Sequence, residues 1–160
     1  MKRFAERGFT LVEIMIVVAI IALLAAIAIP NVLRGRTTAN ESAAIGNVRT
    51  LVSSLEMYRS VYNEYPSNWR TNMYNTPDPD FGPPSFNNGM AAATVQGYDY
   101  NYNRLTTQTY TINANPNVYG RTGTRAFFVD DSGTPRHCSA ATGATSGSQT
   151  IAASPNGTCP

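Results

Sequence analysis

The chain has 160 residues and a mass of 17.3 kDa, enough for one modest domain besides an N-terminal apolar segment. Its formal charge of +2 arises in residues 1–8, which hold three of the 12 basic and one of the 10 acidic side chains. The nine basic and nine acidic side chains that remain cancel. This balance excludes the overall basic surplus that is typical of nucleic-acid-binding proteins, so we expect no specific nucleic acid as a partner.

The N-terminal part of the chain is dominated by an apolar run. Of the 21 residues from Phe9 to Ile29, only Thr10 and Glu13 are polar. A helix of this length is about 31 Å long, enough to cross the hydrocarbon core of a bilayer. The basic side chains of residues 1–8 predict a cytoplasmic N-terminus, which places everything after the single span outside the cytoplasm.

Glu13 is the exception within this run. A lone carboxylate near the middle of a membrane costs about 2.5–3.5 kcal/mol, and less near the end of a span. Glu13 should therefore have a partner, and the place to look for it is just before Phe9. The alternative is a signal-anchor helix with an incidental acid near its cytoplasmic end.

The stretch Gly8-Phe9-Thr10-Leu11-Val12-Glu13 resembles the processing site of the type IV pilins and type II secretion pseudopilins. The resemblance implies that a membrane prepilin peptidase cuts after Gly8 and that the new N-terminal Phe9 is N-methylated. It also implies that Glu13 meets the Phe9 amine of its own or a neighbouring subunit during assembly. The expected partners are other pilin subunits in a homopolymer, the peptidase, and the pilus assembly machinery of the inner membrane.

The helix is predicted to continue beyond the apolar run. Pro30 removes a backbone hydrogen bond and clashes with the carbonyl of Ala26, which predicts a kink or local melting. Residues 31–62 then carry an apolar stripe at steps of three and four residues: Ala44, Val48, Leu51, Leu55, Tyr58 and Tyr62. A coiled coil is one use of such a stripe, but its tyrosines favour packing on the chain's own C-terminal sheet. Pro66 predicts that the helix ends before it.

Residues 63–95 are predicted to form a long irregular connection, because they hold five prolines and six asparagines. This segment corresponds to the αβ-loop of the resembling family. Trp69 and Phe81 are expected to pin it to the globular head. Ligand binding by Trp69 is the alternative.

Period-two patterns predict strands at residues 98–103 and 109–114. A third strand is expected at residues 125–130, and the turn after it predicts a fourth around 134–138. The expected fold class is α+β, with the long N-terminal helix packed on a small antiparallel sheet, which is the pilin fold that the resemblance implies. The resulting division is a leader at 1–8, an apolar helix at 9–30, an amphipathic helix at 31–62, the connection at 63–95 and the sheet-containing head at 96–160.

The resemblance further implies a disulfide between Cys138 and Cys159, which bracket a small, polar C-terminal region. A disulfide there requires the oxidising environment outside the cytoplasm. Closing a loop of about 20 residues contributes on the order of 3 kcal/mol in the chain-entropy description.

No catalytic or metal-binding pattern is present in the sequence, and we expect no enzyme activity, cofactor or metal. His137 is the only histidine and lacks further soft ligands beside Cys138. Several aspartates could in principle bind calcium, but they lack EF-hand spacing: Asp78, Asp80, Asp99, Asp130 and Asp131.

The expected function is that of a major pilin, a structural subunit stored in the inner membrane and then polymerised into an extracellular type IV pilus. Such a fibre would serve adhesion, twitching motility or DNA uptake. The alternatives are a type II secretion pseudopilin, a minor pilin and, more remotely, a Sec-exported binding domain cleaved near Ala28.

Overall fold

A computed structural model describes residues 9–75, 80–90 and 94–139 of the chain. Its first element is helix α1, Leu11–Tyr62, and five short strands follow in the C-terminal half. The chain forms two compact units, Met1–Gly35 and Arg36–Pro160, and α1 contributes residues to both. The second unit is called the head below.

The described part of the N-terminal unit is helical and has no core of its own. Among the described residues, α1 is the one helix that is long and apolar enough to cross a membrane, with a mean hydropathy of 3.0 over its most apolar window. Pro30 lies inside this helix, which continues through it without interruption. The predicted local melting is therefore not seen in this chain, whereas the predicted kink at Pro30 stays a prediction.

The head contains a five-stranded antiparallel meander in the order β1-β2-β3-β4-β5. The strands are β1 Thr94–Val95, β2 Tyr98–Arg104, β3 Tyr110–Pro116, β4 Arg125–Asp130 and β5 Arg136–Ser139. The α+β fold class and the antiparallel sheet are confirmed, and four of the strands lie where the sequence predicts them. The short strand β1 was not predicted.

The hairpin between β1 and β2 explains the missed strand. Val95 pairs with Tyr98, so only Gln96 and Gly97 form the turn. Both turn residues have positive φ, 53° and 78°, as a type I′ hairpin requires. A two-residue strand has no readable period, but a glycine directly before the aromatic strand β2 was a usable turn signal.

The apolar stripe of α1 packs on the inner face of the sheet. Its first five members, Ala44 to Tyr58, are buried against β2 and β3 residues that include Tyr98, Tyr110 and Ile112. The predicted packing of the helix on the chain's own sheet is confirmed. Tyr62, the last member of the stripe, is 48% exposed, because α1 ends there and its ring lies beside Tyr58 at the edge of the core.

The C-terminus of α1 is closed by a left-handed residue. Asn63 has φ 56°, and its N–H donates to the Arg59 carbonyl over 2.8 Å. Asparagine tolerates this conformation better than most residues, so it serves as a helix C-cap. Pro66, three residues later, prevents the helix from resuming.

The connection after α1 is more regular than predicted. It contains a π-helical turn, Thr71–Asn75, and a 3₁₀ turn, Pro84–Phe86, before β1 begins at Thr94. Trp69 pins it to the head as expected: its ring is buried, and its Nε1–H donates to the Phe86 carbonyl over 3.2 Å. The connection predicted at residues 63–95 thus contains short regular turns, which buried aromatic side chains stabilise, and its last two residues form β1.

Gly123 marks a close approach between the β3–β4 connection and the core. A Cβ at this position would overlap the hydroxyl of Tyr98. Tyr98 is fully buried and donates that hydroxyl to the Arg125 carbonyl over 2.8 Å, so its ring has no room to move. Only glycine fits here.

Candidate functional site

The N-terminal end of α1 carries the residues that the sequence singled out. The helix begins at Leu11, which makes Thr10 its N-cap. The backbone N–H and the hydroxyl of Thr10 each donate to Glu13 Oε2 over 2.8 Å. In return, the Glu13 N–H donates to Thr10 Oγ1 over 3.3 Å. This reciprocal pattern is a capping box.

The capping box gives Glu13 partners within its own chain. Two donors on Thr10 satisfy one carboxylate oxygen, and the carboxylate lies in the first turn, where the helix dipole favours negative charge. The sequence interpretation assigned Glu13 to an amine alone and missed this arrangement. The signal was present, because Thr10-Leu11-Val12-Glu13 has the spacing of a capping box.

Phe9 lies directly before this cap, and its side chain is 84% exposed. Gly8 and the predicted cleavage site fall outside the described residues, so cleavage, methylation and the contact between a Phe9 amine and Glu13 stay predictions. The geometry does place the Glu13 carboxylate on the backbone N–H of the residue next to Phe9. A new α-amino group at Phe9 would therefore lie one residue before the backbone N–H that the carboxylate binds.

The helix that follows presents its apolar side chains outward on all sides. Every large apolar side chain from Leu11 to Leu33 is between 51% and 73% exposed. An apolar surface of this extent marks a contact with a membrane or with other proteins. The site thus combines a capped acid at the helix start with an apolar cylinder behind it.

A second acid, which the sequence interpretation did not single out, is buried in the head. Glu41 Oε1 accepts from the N–H and the hydroxyl of Thr124, each over 2.8 Å. Glu41 Oε2 accepts from Nε of Arg125 over 2.8 Å and forms an ion pair with its Nη2 over 2.7 Å. A usable signal existed, since Glu41 extends the buried stripe by one further step of three residues before Ala44.

The hydrogen bonds to Glu41 also set its acidity. Partial burial alone would raise the pKa of Glu41. The hydrogen bonds from Thr124 and Arg125, together with the positive charge of Arg125, outweigh burial and hold the pKa below its ordinary value. Glu41 is therefore ionised at neutral pH, and it ties α1 to the start of β4.

Comparison with known proteins concerns the N-terminal segment. Residues 3–29 match the prokaryotic N-terminal methylation motif. The chain is type IV pilin-like. The type IV wide pilus major component PilA4 of Thermus thermophilus is 47% identical over 62 residues, which cover 39% of this chain and 47% of that protein.

Two further relatives of this pilin-like chain show the same limited extent. The type II secretion system core protein G of Pectobacterium carotovorum is 39% identical over 64 residues, 40% of this chain and 41% of that protein. The type IV major pilin protein PilA of Myxococcus xanthus is 46% identical over 60 residues, 38% of this chain and 27% of that protein. The chain thus spans less than half the length of these relatives. No solved structure matches it.

Cys138, one half of the predicted disulfide, lies in a small cluster on the opposite side of the sheet from α1. It is fully buried beside Ala126 and Phe128. Its predicted partner, Cys159, falls outside the described residues, so the disulfide of this pilin-like chain stays a prediction.

Two of the aspartates considered for calcium, Asp99 and Asp130, have local contacts. Asp130 accepts from the N–H and hydroxyl of Ser132 in the β4–β5 turn and pairs with Arg136 at 3.4 Å. Asp99 Oδ2 accepts from the side-chain amide of Asn117 over 3.0 Å. Residues 9–75, 80–90 and 94–139 contain no group of three or more potential metal ligands. The expectation that the chain binds no metal stays a prediction.

Proposed function

We propose that this chain is the major pilin of a type IV pilus. The observation that carries the proposal is the N-terminal constellation: an acid held in the first turn by Thr10, followed by an apolar helix exposed on every side. The similarity to major pilins of two bacteria over this segment supports it. The prepilin would be cut after Gly8 and N-methylated at Phe9, as the matched methylation motif suggests.

The apolar part of α1 would occupy two environments without water, one before assembly and one after it. Before assembly it would span the inner membrane with the N-terminus in the cytoplasm, and afterwards it would pack among the same helices of other subunits. Both remove the exposed apolar surface from water, at about 25 cal/mol per Å² of apolar area. Transfer between them therefore costs little in hydrophobic free energy. The resulting cell-surface fibre would serve adhesion, twitching motility or DNA uptake.

A type II secretion pseudopilin is the second candidate. It is favoured by the similarity to core protein G of type II secretion systems, which covers the same segment of the chain. Both candidates use the same helix start and the same apolar cylinder. They differ in whether fibres containing this chain reach the cell exterior.

The test of the proposed function separates the two roles that Glu13 could have. Glutamine serves a capping box as well as glutamate does, but it carries no charge for an amine. We expect both Glu13→Ala and Glu13→Gln to insert into the membrane normally and to give at least about tenfold fewer sheared surface fibres, the effect of losing one charge pair. The measurement is the amount of this chain in fibres sheared from cells that supply the pilus machinery.

Mass spectrometry of each variant provides the control. A mature chain that begins at N-methylated Phe9 shows that processing is intact and that assembly alone has failed. If Glu13→Gln gave a normal fibre yield and Glu13→Ala a low one, the role of Glu13 would be helix capping and not pairing with an amine. Absence of wild-type fibres outside the cell, with correct processing, would favour the pseudopilin.

A further inference from the structure

The head contains a cavity that neither the fold nor the proposed polymer uses. It has a volume of about 380 Å³ and lies between residues 67–70, residues 89–90 and the end of strand β2, 102–104. This volume is in the range of small-molecule sites, about 300–1,000 Å³. The cavity is contained within the head and does not involve the helix start.

The wall of the cavity is fixed by aromatic side chains. The Trp69 ring lies 5.4 Å from the Tyr102 ring, centroid to centroid. Trp69 donates to the Phe86 carbonyl, and the Tyr102 hydroxyl donates to the Pro66 carbonyl over 2.8 Å. A wall held in this way needs little reorganisation when a ligand binds, which favours affinity.

The lining is positively charged. Arg70 and Arg104 line the cavity, and none of the described lining residues is acidic. Arg104 is held in place by Glu64 at 3.1 Å and by the Thr106 carbonyl. Arg70 is exposed and has no ion pair within the part of the chain that the structure describes. A guanidinium group binds planar carboxylates bidentately, so the cavity is suited to an anionic group.

The other polar side chains that line the cavity indicate which class of anionic ligand it suits. Asn103 contributes a side-chain amide, which both donates and accepts hydrogen bonds, and Asn68 contributes an amide whose oxygen already accepts from the Thr71 N–H over 3.0 Å. Hydroxyl groups also do both, whereas phosphate or sulfate oxygens mainly accept. The Tyr102 ring, which is partly exposed, suits the apolar face of a sugar ring, whereas Trp69 is buried. Amides, aromatic rings and a guanidinium together match a sugar that carries a carboxylate.

We propose that this cavity binds a uronic-acid unit of an acidic polysaccharide, with its carboxylate on Arg70. The site belongs to the head of each subunit and does not depend on the chain being a pilin. In a surface-exposed head, it would attach the protein to acidic polysaccharide in its surroundings.

The chain carries its own reporter for this site, because Trp69 is its only tryptophan and lies in the cavity wall. The full-length mature protein in detergent micelles is titrated with trigalacturonate, and Trp69 fluorescence is recorded. We expect a saturable change. Arg70→Gln should weaken binding at least about tenfold, the effect of one charge-assisted hydrogen bond. Arg70→Lys, which keeps the charge without the planar fork, should give an intermediate affinity.

Arg121→Gln is the matched control, because it removes one exposed positive charge away from the cavity lining. It should leave the affinity within about twofold of the unsubstituted chain. Equal weakening by both arginine variants would overturn the proposal. So would equal binding of triglutamate, which would indicate an acidic peptide site, equal binding of inorganic sulfate, or equal binding of a neutral galactose trisaccharide.

Discussion

Single residues in this chain do more than their position in a pattern indicates. Glu13 was expected to pair with an amine. Its carboxylate also forms a capping box with Thr10 at the N-terminus of α1. Glu41 was assigned no role from the sequence, yet its side chain is only 7% exposed and accepts four hydrogen bonds or ion-pair contacts. In both cases the carboxylate is stabilised by donors that hold it in one geometry.

Replacing Glu41 by glutamine tests the tie between α1 and β4. The substitution removes the charge that Arg125 faces and places an amide donor beside its guanidinium. Because Arg125 is 40% exposed and can be rehydrated, we expect a loss of about 1–3 kcal/mol in the free energy of unfolding. The measurement is urea unfolding followed by Trp69 fluorescence.

Asp131→Asn serves as the control for this loss. Asp131 is exposed in the β4–β5 turn, so its substitution should change the free energy of unfolding by no more than about 0.5 kcal/mol. Equal effects of the two substitutions would mean that the ties to Thr124 and Arg125 contribute nothing beyond surface charge.

Local pattern could not reveal these partners of Glu41. Thr124 and Arg125 lie 83 and 84 residues away along the chain, and no local rule connects positions so distant. The capping box at Thr10 and Glu13 is different, because its partners are three residues apart and its spacing is readable.

At the scale of elements, the helix and the longer strands were predictable because their burial has a period. The stripe from Ala44 to Tyr58 reads directly as the buried face of α1, and alternate tyrosines identify β2. The turns in residues 71–75 and 84–86 and the two-residue strand β1 were missed. They depend on buried contacts such as Trp69 with Phe86 and are too short to show a period.

Leu51→Ala tests whether the stripe carries the stability of the head. Leu51 is fully buried between α1 and the sheet, so truncation removes apolar contacts and leaves a cavity. We expect a loss of about 2–5 kcal/mol in the free energy of unfolding, measured by urea unfolding.

Met57→Ala is the matched control on the same helix, since Met57 is 50% exposed. Its loss should stay below about 1 kcal/mol. Similar losses for Leu51→Ala and Met57→Ala would show that the helix does not use this face to pack.

At the scale of the whole molecule, the two units differ in how they depend on water and on pH. The N-terminal unit has apolar surface and no core, whereas the head has a core rich in tyrosine. Burial raises the pKa of six tyrosines in the head well above the ordinary value, to about 12 for Tyr65, Tyr74 and Tyr100 and higher for Tyr98, Tyr102 and Tyr110.

These shifts predict alkaline destabilisation of the head. In the unfolded chain tyrosine loses its proton near pH 10, whereas the buried tyrosines keep theirs. The stability they contribute is fully present below about pH 10 and is lost as pH rises towards the folded values. We expect the urea midpoint to fall steeply above about pH 10, together with cooperative appearance of tyrosinate absorbance. Gradual, independent tyrosine titration with an unchanged midpoint would contradict this.

At acid pH, the stability of the head depends on carboxylates whose pKa is lowered. The pKa of Glu41 is held below its ordinary value, and so is that of Asp130, where the hydrogen bonds of Ser132 and the charge of Arg136 outweigh burial. Their contribution is complete above about pH 4.5 and decreases as pH falls through the lowered values. Glu41→Gln should therefore flatten the acid limb of the stability curve.

The close approach at Gly123 limits how the head can diverge among descendants of this chain. Positions 118, 119 and 121 of the same connection are exposed, and side chains there can be exchanged without disturbing the interior. Any mutation that adds a side chain at position 123 strikes the immobile Tyr98 ring. We expect related heads with a tyrosine at position 98 to vary in sequence at these exposed positions before Gly123 and to keep glycine at position 123.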